Sequence, residues 1–274
     1  MDIGNVNFSR RSFALAFMSL LACNKAWSQP AQGARGTLYP IGGAADFALS
    51  RFAELAGGDK ARILILPHSS SEPKETVEEL QNSFMALGVK DTTVIMPGEF
   101  KGSLPKATAI FMTGGDQSRM MRIAEPALLS EVRAFVSAGN VVGGTSAGAA
   151  IMAPKMIAGG MTDGVPKSKS LLMTEGLGLL PGYVVDTHVS ARARQDRLMV
   201  ALSLVPGAKG IGLDEDTAVE IRDGKATVHG KGVAHVYRRA DDFKSQMDAT
   251  PEGQCAGVQN MIYSIYPAGE SFSI

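Results

Sequence analysis

Val141-Val142-Gly143-Gly144-Thr145-Ser146-Ala147-Gly148-Ala149-Ala150-Ile151-Met152 is the stretch on which the reading of this chain turns. Two β-branched residues make a short apolar strand, glycines follow, and a helix of small residues starts behind them. A strand that runs through glycines into a helix is the joint of a parallel sheet covered by helices. Inside the turn, Gly144-x-Ser146-x-Gly148 has the spacing of a nucleophile elbow. Such a turn lifts a serine hydroxyl above the sheet, holds it in strained backbone, and leaves helix N–H groups behind it as donors for an oxyanion. A phosphate loop, or a helix start that Ser146 only caps, carries the same letters.

The flanking sequence repeats the alternation. Thr37–Ile41, Arg62–Leu66 and residues 92–96 and 107–112 are short apolar runs that predict strands. Between them, residues 44–55, 73–87 and 128–138 have helical spacing, with Gly88 just past the second helix as a C-cap. Residues 183–186 predict a further strand, 190–204 a helix and 210–213 a short run. From 217 to 237 the pattern changes to short strands with turns at Asp223-Gly224 and Gly230, which predicts antiparallel hairpins closing the sheet edge. The fold class expected is α/β, a mostly parallel doubly wound sheet with helices on both faces, in one domain over residues 29–274.

Composition narrows the function. Of 274 residues, 45% are hydrophobic and 20% charged, as in ordinary globular proteins. Lysine plus arginine and aspartate plus glutamate stand at 27 each, a balance that argues against nucleic acid or an anionic membrane surface as partner. The first 28 residues read as an export signal. Arg10-Arg11 precede an apolar run, 13–23, too short to span a bilayer, and Ala26-Trp27-Ser28 offers a cleavage point. Ser9-Arg10-Arg11-Ser12-Phe13 resembles a twin-arginine signal, so a periplasmic or secreted protein is expected. Leu20-Leu21-Ala22-Cys23 reads alternatively as a lipoprotein signal with Cys23 as the anchor. With the leader gone only Cys255 remains, so no intramolecular disulfide can form, and Cys255 is expected to pack.

A serine nucleophile needs a base, and the chain has four histidines. His229 and His235 fall in the hairpin region, where packing or surface roles are the default. His68 follows a strand and stays open. His188 is the best placed, just past the strand at 183–186, at the carboxyl edge where parallel-sheet sites form. A carboxylate from Asp214-Glu215-Asp216, immediately after 210–213, would complete a triad, although three acids in a row also make a solvated turn. Arg192, Arg194 and Arg197 follow His188. They are either a charged helix face, paired locally with Asp196, or a clamp for substrate carboxylates.

Taken together, Ile41-Gly42-Gly43, Thr113-Gly114-Gly115-Asp116-Gln117, Gly144-Thr145-Ser146-Ala147-Gly148-Ala149, Asp186-x-His188 with Arg192, Arg194 and Arg197, and Gly210-Ile211-Gly212-x-Asp214-Glu215-x-Thr217-Ala218 resemble the cyanophycinases of the S51 serine peptidases. The resemblance runs from about residue 38 to 240. It implies a flavodoxin-like fold related to class I glutamine amidotransferases. It implies a triad of Ser146, His188 and Glu215, and an oxyanion hole from Gly115 and Ala147. Gln117, Asp186, Arg192, Arg194 and Arg197 would line the substrate site. The implied substrate is an aspartyl peptide or a cyanophycin-type polymer of β-linked aspartyl–arginine units, cleaved by a homodimer without metal or cofactor. Related peptidases cleave short α-aspartyl peptides. Thr187 stands where the family pattern predicts glutamine, Ala45 where it predicts an acid, and the lysine-bearing loop at 156–174 does not align. An esterase using the same elbow, or a binding protein that keeps the pocket, are the rival readings.

Overall fold

The computed structural model describes residues 36–274. The residues read as an export signal, Cys23 among them, lie outside the described residues. In chain order the elements are β1 (Thr37–Ile41), α1 (Asp46–Leu55), β2 (Arg62–Leu66), α2 (Pro73–Ala86), β3 (Asp91–Val94), β4 (Ala109–Met112), α3 (Gln117–Ile123), α4 (Pro126–Ser137), β5 (Val141–Thr145) and α5 (Ala147–Ala150). They continue with β6 (Lys155–Gly160), β7 (Leu171–Glu175), β8 (Tyr183–Thr187), α6 (Arg197–Leu204), β9 (Lys209–Leu213), β10 (Thr217–Arg222), β11 (Lys225–Gly230), β12 (Val233–Ser245), β13 (Val258–Pro267) and β14 (Ser271–Ser273).

The central sheet has eight strands in the order β14-β11-β10-β1-β5-β4-β2-β3. The five from β1 to β3 are parallel, and β10, β11 and β14 extend the sheet antiparallel beyond β1. The α/β expectation holds. Alternate strand residues feed opposite faces: Leu38, Leu64, Leu66, Ile110, Met112 and Val142 enter one core, Tyr39, Ile41, Ile63, Ile65 and Phe111 the other. Burial on both faces explains why these strands read as unbroken apolar runs. Phe111 takes two edge-on aromatic contacts, from Phe52 of α1 at 5.0 Å and Phe84 of α2 at 5.6 Å. Each such buried side chain contributes roughly 1.5–3 kcal/mol.

Three expectations change. Residues 183–213 do not join the central sheet: β8 and β9 run parallel in a separate four-stranded sheet, β13-β12-β9-β8. The hairpin region is therefore split, with β10 and β11 closing the central sheet while β12 pairs with β9 and β13. The helix expected from residue 190 begins at Arg197, and residues 190–196 are turns. Ala193 there has φ +49°, a left-handed conformation no helix accommodates. Finally, the unaligned loop is a two-stranded hairpin, β6 with β7, bulged between Ile157 and Gly159.

Candidate active site

The turn after β5 places Ser146 at φ +51° and ψ −111°, outside ordinary L-residue backbone, with its N–H bonded to Ile41 O at 2.9 Å. Strain of this kind persists only where the surroundings over-determine it. Gly144 and Gly148 supply that constraint. A Cβ on Gly148 would lie 2.2 Å from Met112 O, and one on Gly144 2.7 Å from the Gly148 carbonyl carbon. The elbow thus packs backbone to backbone against the end of β4, and Ser146 makes no side-chain cap bond, so capping does not account for this turn.

His188, one residue past β8, also has positive φ, +58°, and its N–H donates to Gly42 O at 2.9 Å. Its ring meets Ser146: Oγ to Nε2 is 2.8 Å. On the other side, Nδ1 lies 2.5 Å from Glu215 Oε1. Glu215 Oε2 accepts the Ala44 N–H at 2.6 Å. The two contacts assign the tautomer: Nδ1–H donates to the carboxylate, and Nε2 presents its lone pair to the serine hydroxyl. Such a chain can take the proton of Ser146 and stabilise the imidazolium that forms.

Gly43 makes room for it. A Cβ there would lie 1.6 Å from Glu215 Oε2 and 2.6 Å from His188 Nδ1. The Gly43 carbonyl also accepts the Thr145 hydroxyl, tying the loop after β1 to the strand of Ser146. Sequence motifs included Gly43, but without a reason for it.

The three consecutive acids are not a solvated turn. Each has its own task. Asp214 Oδ1 accepts the Ser190 N–H at 2.9 Å. Glu215 meets His188. Asp216 Oδ1 accepts the N–H groups of Phe47 and Ala48 at 2.8 and 3.0 Å, capping α1 from the turn between β9 and β10.

Ser146 opens into a cleft of about 320 Å3, lined also by Gly115, Gln117, Asp186, Arg192, Arg194 and Arg197. The structure therefore brings these predicted residues together. Ala147 follows Ser146 as the first residue of α5, and Gly115, at φ +127°, abuts the Ser69 carbonyl. Gln117 Nε2 donates to Ile157 O and so anchors the β6–β7 hairpin over the cleft. The arginines divide. Arg197 is buried and reaches Asp186 Oδ1 at 3.4 Å. Arg194 lies 4.0 Å from the same oxygen and donates to Thr187 O at 3.0 Å. Arg192 is exposed on the turn. The charged helix face expected of the three arginines does not form, because Arg192 and Arg194 precede the helix.

Burial pushes the Asp186 carboxyl above its ordinary value, opposed by Arg197 and Arg194. Burial, followed by the neighbouring Arg197, pushes the Arg194 guanidinium below its own. Three guanidiniums face two carboxylates, Asp116 and Asp186, so the cleft favours an anionic ligand.

Residues outside the cleft are equally informative. His68 is buried with both ring nitrogens unpartnered, and burial lowers its pKa. His229 meets Glu220 at 3.1 Å. Cys255 is a free, exposed thiol, contrary to the packing expected. A larger groove of about 670 Å3 beside β3, with Glu99 and Lys101 on its wall, holds none of the predicted site residues. No group of three or more His, Cys, Asp or Glu side chains among the described residues is arranged to hold a metal ion.

The model of peptidase family S51 matches residues 41–229, well over half of the chain. The chain belongs to peptidase family S51. This S51 chain is 41% identical over 218 residues to the cyanophycinase of Geminocystis herdmanii, covering 74% of the chain and 80% of that protein. It is 36% identical over 259 residues to the cyanophycinase of Nostoc sp. strain PCC 7120, covering 89% and 87%. As a cyanophycinase-like S51 member it is a serine-type peptidase. The crystal structure of a peptidase from an acI-B1 Actinobacterium superposes with a TM-score of 0.61 at 21% identity, over 88% of this chain and 99% of that one, and so shares the fold.

Proposed function

We propose that Ser146, His188 and Glu215 are the catalytic triad of a hydrolase that cuts aspartyl peptide bonds, with cyanophycin-type β-aspartyl–arginine links as the substrate. The observation that carries this reading is the unbroken chain from Ser146 Oγ through His188 to Glu215, at the mouth of a cleft walled by arginines. Ser146 Oγ attacks the scissile carbonyl while its proton passes to His188 Nε2. The N–H groups of Gly115 and Ala147 receive the oxyanion that develops. Collapse of the intermediate expels the amine, which takes the proton from His188, and water repeats the sequence on the acyl-enzyme. Glu215 stays ionised throughout and holds the imidazole in one tautomer.

The guanidiniums account for the choice of bond. An aspartyl residue linked through one carboxyl keeps its other carboxylate beside the scissile bond, and Arg192 presents a planar donor fork to it. The names of the relatives support the polymer as substrate. Residues 1–28 support export, and intact Met1 in cytosolic protein from the native host would overturn that part. Substrate choice is tested by incubating the protein separately with arginyl-polyaspartate and with α-aspartyl dipeptides. Release of β-aspartyl–arginine from the polymer is the expected result. Hydrolysis of the dipeptides with an untouched polymer would reassign the enzyme as an α-aspartyl dipeptidase.

A further inference from the structure

Beside the His188–Glu215 pair lies a second carboxylate–imidazole pair that the reaction above does not use. Asp214 Oδ1 is 3.1 Å from His235 Nε2. His235 is buried, and its Nδ1 lies 2.7 Å from the phenol oxygen of Tyr263. The Tyr263 ring stacks on Tyr237 at 4.6 Å, with planes 25° apart, so the outer end of the chain is anchored in the β12–β13 sheet.

The position of this chain gives it meaning. Strands β8 and β9 pair in parallel up to Thr187 and Leu213, and Val189 N–H still reaches Leu213 O at 3.2 Å. Beyond that point the two segments must release their main chains so that His188 and Glu215 can turn toward Ser146. The Asp214 side chain takes over where the ladder stops. Its Oδ1 accepts the Ser190 N–H at 2.9 Å, and its Oδ2 the Val233 N–H at 3.2 Å. One carboxylate thus joins the residue next to Glu215, the residue two past His188 and the start of β12. Burial opposes ionisation of Asp214, but the Ser190 hydroxyl and N–H and the His235 ring outweigh it and hold its carboxyl below the ordinary value.

We infer that Asp214, His235 and Tyr263 are positioning residues that set the distance between His188 and Glu215. The inference rests on the triad proposed above. His235 acts through Asp214: it fixes the carboxylate, which fixes the two loops, which align the imidazole with Ser146. A residue acting this way governs turnover and leaves the arginine-lined wall untouched.

The test is steady-state kinetics of His235→Phe and His235→Gln, with thermal unfolding of each. Phenylalanine keeps a ring against Tyr263 but removes the bond to Asp214. Glutamine restores a donor to it. His235→Phe is expected to lower kcat on the order of 10- to 100-fold, the loss that follows a misalignment of about 1 Å, with KM nearly constant. His235→Gln should recover most of that loss. Wild-type kcat in folded His235→Phe, a rise in KM equal to the fall in kcat, or a loss that follows the unfolding midpoint without recovery in His235→Gln would each overturn the inference. Ser146→Ala, assayed alongside, separates the two readings. An active Ser146→Ala sinks the triad and this inference with it. An inactive Ser146→Ala beside unimpaired His235→Phe overturns the positioning role alone.

Discussion

The turn that carries Ser146 and the segment that carries His188 meet in one hydrogen bond, yet they are held by different means. Ser146 sits where backbone packs on backbone: Gly144, Gly148 and the Met112 carbonyl leave its φ of +51° no alternative. His188 also sits at positive φ, +58°, but no glycines flank it. It is held from outside, by Gly42 O on its N–H, by Glu215 on its ring and by the Asp214 carboxylate two residues downstream. A position enforced by close packing tolerates no added atom. One enforced by hydrogen bonds from distant strands can be loosened by degrees. Substitutions on the two sides should therefore differ in kind.

On the serine side the effect is all or nothing. Ser146→Ala removes one hydroxyl from a half-buried turn and should reduce kcat/KM by roughly 10⁴-fold or more while the unfolding midpoint stays put. A correctly folded variant with near wild-type turnover would remove Ser146 from the reaction.

Gly43 lies where the two modes meet. In Gly43→Ala the new methyl would occupy the space of Glu215 Oε2, and one of them must move. The loss expected lies between about 10²-fold, for a displacement near 1 Å, and about 10⁴-fold, for a lost orienting acid. Circular dichroism should remain that of the wild type. If Gly43→Ala keeps full activity, Glu215 is not the group that orients His188.

These contrasts explain what could be read without coordinates. The central strands were legible because burial on both faces makes continuous apolar runs, and the elbow because its packing demands glycines at fixed spacing. Gly42-Gly43 was visible as a motif, but its purpose depends on Glu215, 172 positions away in sequence. The sequence starts the α6 helix too early because residues 190–196 have helix-compatible letters, while the left-handed turn at Ala193 goes with tertiary contacts such as Arg194 to Thr187 O. The β6–β7 hairpin was hidden by its lysines and by a bulge that breaks the alternation of period two. The separate β8–β9 sheet follows from pairing with β12, which no local pattern encodes.

The arginines sharpen the comparison further. Arg197 is committed to Asp186, whereas Arg192 stands exposed on the cleft wall. Arg192→Lys keeps the charge and loses the fork, and should cost roughly 10- to 150-fold in kcat/KM on an aspartyl peptide, the equivalent of about 1.5–3 kcal/mol. Hydrolysis of a neutral ester should hold. Removing the guanidinium in Arg197→Met should act on stability instead, because it leaves Asp186 buried without its closer partner, a loss of about 3–5 kcal/mol. Equal behaviour of the two variants in both assays would erase the distinction between a substrate-facing and a structural arginine.

The smallest effect is one of sign, and it sets two aspartates against each other. Hydrogen bonds from Ser190 and His235 outweigh burial at Asp214 and depress its folded pKa below the ordinary 3.8, whereas burial raises that of Asp186 above it. Stability rises with pH wherever the unfolded chain binds more protons than the folded one. For Asp214 that holds from the depressed folded pKa up to 3.8, so its ionised form contributes stability that is fully present above this window and lost as pH falls through it. For Asp186 the folded chain holds the extra proton between 3.8 and the raised folded pKa, so its contribution is greatest in acid and declines as pH rises. Replacing each by asparagine removes the titration while keeping the shape. The gap in unfolding midpoint between wild type and Asp214→Asn should therefore narrow from pH 7 to pH 3. Measured the same way, wild type should gain on Asp186→Asn as pH falls over that range. Slopes of the same sign would show that the acid beside Glu215 and the acid under the arginines share one environment. Opposite slopes are what a carboxylate held by donors and a carboxylate stripped of water must give.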